Sequence, residues 1–231
     1  MIELTHPAVS YVTTEAWKYL LDGCNKSGTF FSRLDRLAKR IAGRPDSEAS
    51  PYYCHGYSNL PLSGLSVSYK FKGDVFEIIC GEGLIKVCGA NEGINVYDYI
   101  PIVEGDVGAD GVGVTKSNLP TAVQLKYGPW DEEIHHVRKR LDNFDLTARN
   151  IYKVDTQARP GRLLVITSAK QMNWKTIERY GGCMRCLSRD ANYGCLKGAP
   201  PGKNIENLFS LKTILDEHLI FWDTMREQVG L

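Results

Sequence analysis

The sequence predicts an α/β fold, with helices flanking a central mixed β-sheet. Two observations lead there. Segments with apolar residues at helical spacing alternate along the chain with short runs rich in Val, Ile, Leu and Tyr. Clusters of Gly and Pro separate them, and elements in that order pack as helices on a sheet. At 231 residues the chain can hold one such domain plus an appendage, or two small ones, with an ample core.

The elements follow in order. Phe30, Leu34, Leu37 and Ile41 form an apolar helical stripe, and Arg33, Arg36 and Arg40 share the opposing face. That basic face could lie along DNA phosphates, or be the solvated side of a packing helix. Residues 43–66, with Gly43, Pro45, Pro51, Gly56, Pro61 and Gly64, read as a loop or linker. Its Tyr52, Tyr53, His55 and Tyr57 could stack on bases or anchor the loop. A helix is expected to begin over residues 72–80, burying Phe76, Ile79, Cys80, Leu84 and Val87 with Glu77 at the edge of the stripe. Gly81 and Gly83 weaken it by about 1 kcal/mol each relative to Ala.

Beyond it, residues 95–104 are rich in Val, Tyr and Ile and read as a strand, followed by a turn at Asp110 and a strand over residues 124–127. A basic helix is expected over residues 130–148, buried through Ile134, Val137, Leu141 and Phe144 and carrying His135, His136, Arg138, Lys139 and Arg140. The apolar strand 163–167, a short helix over 174–180 and a strand over 183–187 complete the series. After a Gly/Pro break at 194–203, Leu208, Leu211, Leu215, Leu219 and Trp222 mark a long C-terminal helix. Phe209, Ile214 and Phe221 widen its apolar surface, enough for a neighbouring helix or a dimer interface. Three regions result: an N-terminal helical part with linker, 1–66; a core, 67–193; and a C-terminal helix, 194–231.

Chemistry concentrates in Glu104-Gly105-Asp106-Val107-Gly108-Ala109-Asp110-Gly111 and, after a gap, Val123-Gln124-Leu125-Lys126-Tyr127. Alternation along a strand turns Gln124 and Lys126 to one face and Val123, Leu125 and Tyr127 to the other. A carboxylate, a carboxamide oxygen and an ammonium near one another suit phosphodiester hydrolysis, which needs hard oxygen ligands for a cation and a group that places water. Taken singly, Asp110 before Gly111 is also an ordinary turn signal, and Asp74 with Glu77 has the spacing of a helix capping box.

The strings Gly73-Asp74-Val75-Phe76-Glu77, Gly105 to Gly111, Ala122 to Tyr127 and Leu163 to Thr167 together resemble the restriction-endonuclease-like PD-(D/E)xK nuclease superfamily. The likeness covers residues 70–190 and is nearest to the Mrr-like branch, in which Gln replaces the acid of the (D/E)xK element. The resemblance implies a restriction-endonuclease-like core and a metal-dependent endonuclease. It makes Glu77 the helix acid, Asp110 the main metal ligand, Gln124 the second position and Lys126 the catalytic lysine. Mg²⁺, or Mn²⁺ in its place, would be the cofactor. A carboxamide brings no charge to the metal and binds it less tightly than a carboxylate, a deficit Glu77 can offset.

Double-stranded DNA is the expected partner, with Arg33, Arg36, Arg40, Arg138 and Lys139 as candidate contacts. A homodimer would suit two-fold duplex cleavage. Two other readings share the scaffold: a nucleic-acid-binding module that does not cut, and a junction-resolving nuclease. The net charge of only +1 places the argument on local charge. Seven cysteines, with no long apolar segment and no signal peptide, point to a reducing intracellular compartment, cytoplasm or nucleoid or nucleus, with no membrane partner. Cys183 and Cys186 have CxxC spacing, with Cys195 and Cys54 or His55 as further zinc ligands; a buried Cys186 acting as a small hydrophobe is the alternative.

Overall fold

A six-stranded mixed sheet, covered on one face by helices, forms the centre of the computed structural model. The structure describes residues 2–44, 50–54, 64–102, 109–128, 133–134, 162–172, 184–190, 192–194 and 209–231. The strands are β1 (Tyr97–Pro101), β2 (Gly111–Val114), β3 (Pro120–Lys126), β5 (Arg162–Thr167), β7 (Met184–Leu187) and β8 (Asn192–Gly194), adjacent in that order. The pairs β1/β2, β2/β3 and β7/β8 run antiparallel, whereas β3/β5 and β5/β7 run parallel. The parallel β3/β5 pair needs a crossover, and the long stretch between these strands supplies the length for one. Two short strands, β4 (Glu133–Ile134) and β6 (Gln171–Met172), pair separately.

The helices are α1 (Thr14–Leu21), α2 (Ser27–Ala42), α3 (Gly64–Phe76), a π-helical segment (Glu77–Gly83), α4 (Leu84–Cys88), α5 (Leu211–Glu217) and α6 (Leu219–Gln228). Thr13 caps α1 by accepting the Ala16 N–H at 3.3 Å. The predicted stripe of α2 is buried throughout: Phe30, Leu34, Leu37 and Ile41 are at most 2% exposed. α2 lies against α3, and Phe31 and Phe76 meet at 6.2 Å between ring centres. One continuous core runs from Ala8 through these helices to Val123, Leu125, Leu164, Ile166 and Leu187 of the sheet, and on to Met225. On alternate positions Ala122, Leu163, Val165 and Cys186 are buried too, as suits a parallel sheet centre.

Several elements differ from the sequence expectation. The helix expected from residue 72 begins at Gly64, inside the predicted linker, so Asp74 and Glu77 do not form a capping box. Asp74 is instead buried, holding the Tyr53 hydroxyl and Lys70. Tyr53 anchors the loop, its ring edge-on to Phe71 at 5.6 Å. Gly81 and Gly83, expected only to weaken the helix, sit in its π-helical segment, where there is no room for a side chain. A Cβ on Gly81 would collide with Leu125 Cδ1, and one on Gly83 would lie 2.5 Å from Met225 Sδ. β1 is shorter than expected and is irregular between Tyr97 and Ile100, with Asp98 at φ 51°.

The expected single C-terminal helix is two. His218, at φ −93° and ψ 77°, leaves the helical region, and the Trp222 indole N–H takes the Leu215 carbonyl at 2.9 Å. The break exposes Leu219 (59%) and turns Ile214, Phe221 and Trp222 into the chain's own core. Of the two uses expected for the surplus apolar surface, a neighbouring helix or a dimer interface, packing within the chain takes up most of it. Glu133–Ile134 is strand and not the first turn of the expected basic helix, because its backbone pairs with Gln171–Met172. The rest of that helix, the one over 174–180, Leu208 and the 195–203 break lie outside the described residues. Among the described residues no helix is long and apolar enough to cross a membrane.

Candidate active site

Asp110 sits where β2 and β3 part, and its backbone is pinned from two sides. Its N–H donates to the Val123 carbonyl at 2.8 Å, while its own carbonyl accepts the Ile102 N–H at 3.0 Å and the Tyr99 hydroxyl at 3.3 Å. The turn implied by Asp110-Gly111 is a bend that enters β2, and Gly111 has a packing reason: a Cβ there would run into the Tyr99 ring. Past this point the carboxylate continues the ladder in place of a main-chain carbonyl. Its Oδ2 accepts the Leu125 N–H at 2.5 Å and a second, short bond from Gln124 Nε2. Both bonds fall on Oδ2, leaving Oδ1 with no donor among the described residues.

β3 shows the expected alternation. Val123 and Leu125 enter the helical core and Tyr127 packs against it, its ring 6.0 Å from Phe76. Gln124 is buried, and its amide nitrogen, committed to Asp110, leaves the carbonyl oxygen as the atom with ligand capacity. Lys126 is half-buried and has no hydrogen-bond or ion-pair partner among the described residues. It is close enough to Asp110 to favour the charged carboxylate.

Glu77 comes from the π-helical segment and is the second acid of the group. Its proximity is felt electrostatically: burial is the main reason Asp110 holds its proton up to about 6, and repulsion by Glu77 is the next. The Leu125 N–H, Lys126 and Gln124 act the other way without reversing the shift. Burial also raises the Tyr99 hydroxyl, helped by the negative charges of Asp110, Glu77 and Glu82. Of the four residues expected to act together, Gln124 bonds the Asp110 carboxylate directly, and Glu77 and Lys126 are near enough for their charges to act on it.

Two members were missed by sequence reasoning. His6 Nε2 lies 3.1 Å from Glu77 Oε2, across 71 residues, and Tyr99 covers Gly111. No local spacing signals His6, because its partner comes from another element entirely. Tyr99 did leave a trace, in the glycine that opens β2, a strand in which Gly and Val alternate.

The donor set bears on a divalent cation. Two mutually repelling acids and a carboxamide oxygen are hard oxygen donors, and their repulsion is what a cation would relieve. No cluster of three or more His, Cys, Asp or Glu suited to a metal occurs among the described residues, so coordination would draw on Gln124, backbone, water or substrate oxygens.

The basic residues are placed less uniformly. Arg33 reaches back to the carbonyls of Leu20 (3.4 Å) and Asp22 (2.6 Å), bracing the end of α1. Arg36 and Arg40 are exposed, the first bonded to Ser32 Oγ at 3.0 Å and the second over the Tyr19 ring at 5.0 Å. Arg138, Lys139, His135 and His136 lie outside the described residues, as do His55, Tyr57, Cys183 and Cys195. Cys186 is fully buried in β7, and burial pushes its thiol up to about 12, which suits a small hydrophobe better than a thiolate ligand. Comparison with family models, with characterised proteins and with solved structures gave no significant match.

Proposed function

We propose that this chain is a divalent-metal-dependent endonuclease that hydrolyses DNA phosphodiester bonds, with a restriction-endonuclease-like core. One observation carries the reading: Gln124 bonds the Asp110 carboxylate, and the charges of Lys126 and Glu77, from two other positions in the fold, act on that same group. The element order supports it as well, with a helix bearing Glu77, a β1–β2–β3 meander and a crossover to a strand parallel to β3.

Asp110, with Gln124 and Glu77, would hold Mg²⁺ or Mn²⁺, which would supply Lewis-acid stabilisation of charge on the phosphate oxygens. Asp110 offers Oδ1, because the Leu125 N–H and the Gln124 amide anchor Oδ2. Lys126, with no competing protein partner among the described residues, orients the attacking water and meets the charge developing on the phosphate. The exposed Arg36 and Arg40 contribute phosphate contacts. DNA as substrate places the protein in the cytoplasm, nucleoid or nucleus, and two-fold duplex cleavage would use a dimer.

Nicking of supercoiled plasmid in Mg²⁺, with an EDTA control, tests the assignment. Wild type is expected to nick, and Asp110→Asn or Lys126→Ala to lose about 10²–10³-fold in rate, the usual cost of removing one preorganised charge-stabilising group. Equal cleavage by wild type and Lys126→Ala would remove Lys126 from the mechanism. A second reading, a DNA-binding module without cleavage, is favoured by the commitment of the Gln124 amide to Asp110. It predicts DNA binding by wild type with no Mn²⁺ binding sensitive to Asp110→Asn.

A further inference from the structure

The N-terminal segment reaches the site as a strap, and the π-helical segment grips it twice. The carboxylate of Glu82 is fully buried: Oε1 accepts the Thr5 N–H at 2.7 Å and its hydroxyl at 2.6 Å, and Oε2 accepts the His6 N–H at 2.9 Å. Lys86 completes this clamp. Glu77, one wide turn earlier, meets the side chain of the same His6. In an α-helix residues five apart point about 140° away from each other; the i→i+5 bonding of a π-helix brings them nearer one side. Both carboxylates therefore address one residue of the strap.

The tautomer of His6 follows from its neighbours. Ala8 donates its N–H to Nδ1 at 3.1 Å, so Nδ1 keeps its lone pair and the ring proton sits on Nε2. Nε2 is the atom that faces Glu77 Oε2. With the ring side chain only 11% exposed, and its backbone held by Glu82, the donor has little freedom to swing away. Neither ring nitrogen is left as a metal ligand in this arrangement; what the ring supplies is orientation.

We propose that His6 is a positioning residue of the site, whose Nε2–H fixes the Glu77 carboxylate beside Asp110. The inference rests on the reading of Glu77 as a metal-site acid. Partners of this kind, which orient a ligand without touching the metal, typically account for about 10–100-fold in metal affinity.

Two measurements on the full chain test it. Long-range ¹H–¹⁵N NMR at mildly alkaline pH is expected to show His6 protonated on Nε2, with that resonance moving in Glu77→Gln. Protonation on Nδ1, or no response to Glu77→Gln, would overturn the proposal whatever the activity of the protein. Titration with Mn²⁺ alone is expected to give about 10–100-fold weaker binding in His6→Ala. His6→Gln, which can place an amide N–H where Nε2–H stood, should return most of that loss. Equal affinity of wild type and His6→Ala, or a His6→Gln as impaired as His6→Ala, would also overturn it. If Mn²⁺ binding by wild type does not depend on Asp110, the metal-site reading fails instead, and the tautomer measurement still decides the His6–Glu77 tie.

Discussion

Replacing Asp110 by Asn sets the electrostatic cost of the site against its use. Burial, reinforced by Glu77, holds the Asp110 proton up to about 6, against an ordinary 3.8. The folded chain thus binds this proton more tightly than the unfolded one, so stability falls as pH rises from about 4 to about 6. Above that window the charge is a standing cost of at most about 3 kcal/mol, and nearer 2 kcal/mol once solvent screening at its partly exposed edge is counted. Asn carries no charge and keeps an oxygen that can accept the Leu125 N–H.

Asp110→Asn is therefore expected to be about 1–2 kcal/mol more stable than wild type near pH 8, and equal to it near pH 4. Urea denaturation across that range, without divalent cation, measures the difference. Mg²⁺ at about 100 times its Kd adds about 2.7 kcal/mol to a protein that binds it, so the gap should close or reverse for wild type alone. A variant less stable than wild type near pH 8, or a difference that does not change with pH, would refute the electrostatic account.

Two further substitutions test the scaffold. Gly73→Ala, with open space around the new Cβ, is expected to stabilise α3 by about 0.5–1 kcal/mol, whereas Gly81→Ala forces Leu125 off its rotamer and should destabilise by about 1–2 kcal/mol in denaturant titrations; equal signs would be inconsistent with the π-segment packing on β3. Glu82→Gln should cost about 1–3 kcal/mol by leaving Lys86 and the Thr5 and His6 donors poorly matched. Burial raises the Glu82 carboxyl, but bonds from Lys86, Thr5 and His6 outweigh it and hold it below its ordinary range. The loss should therefore be full above about pH 4.5 and fade as the medium is acidified, in the same denaturation assay.

Where one element's period decides, the sequence could be read directly. The stripe of α2 and the alternation of β3 follow from spacing alone, and both are found in the structure. Gln124 and Lys126 could be placed on one face because alternation along a strand is fixed by local geometry, whereas Asp110 comes to Gln124 from the end of the paired strand β2. The misreadings came from tertiary competition. Gly81 and Gly83 lower helix propensity without ending the helix, and they are the positions where it must touch β3 and α6 closely. Leu208 to Trp222 has a clean helical period, but the Trp222 indole and the turn at His218 make two short helices cover the core better than one long one. His6 has no local signature at all.

The π-helical segment ties these outcomes into one physical argument. A regular α-helix through residues 77–83 would not bring Glu77 and Glu82 nearer one side, and the strap would lose one of its two holds. Gly81, with no side chain, lets the backbone of this wider turn settle against Leu125. Leu125 is also the residue whose N–H anchors Asp110. One close contact thus joins the helix that presents Glu77 to the strand that presents Gln124 and Lys126. Gly81 sets how closely the two elements approach, and within that frame His6 holds Glu77 and the Leu125 N–H holds Asp110. That is why a residue with no functional group, Gly81, is placed to control the geometry of a site built on charge.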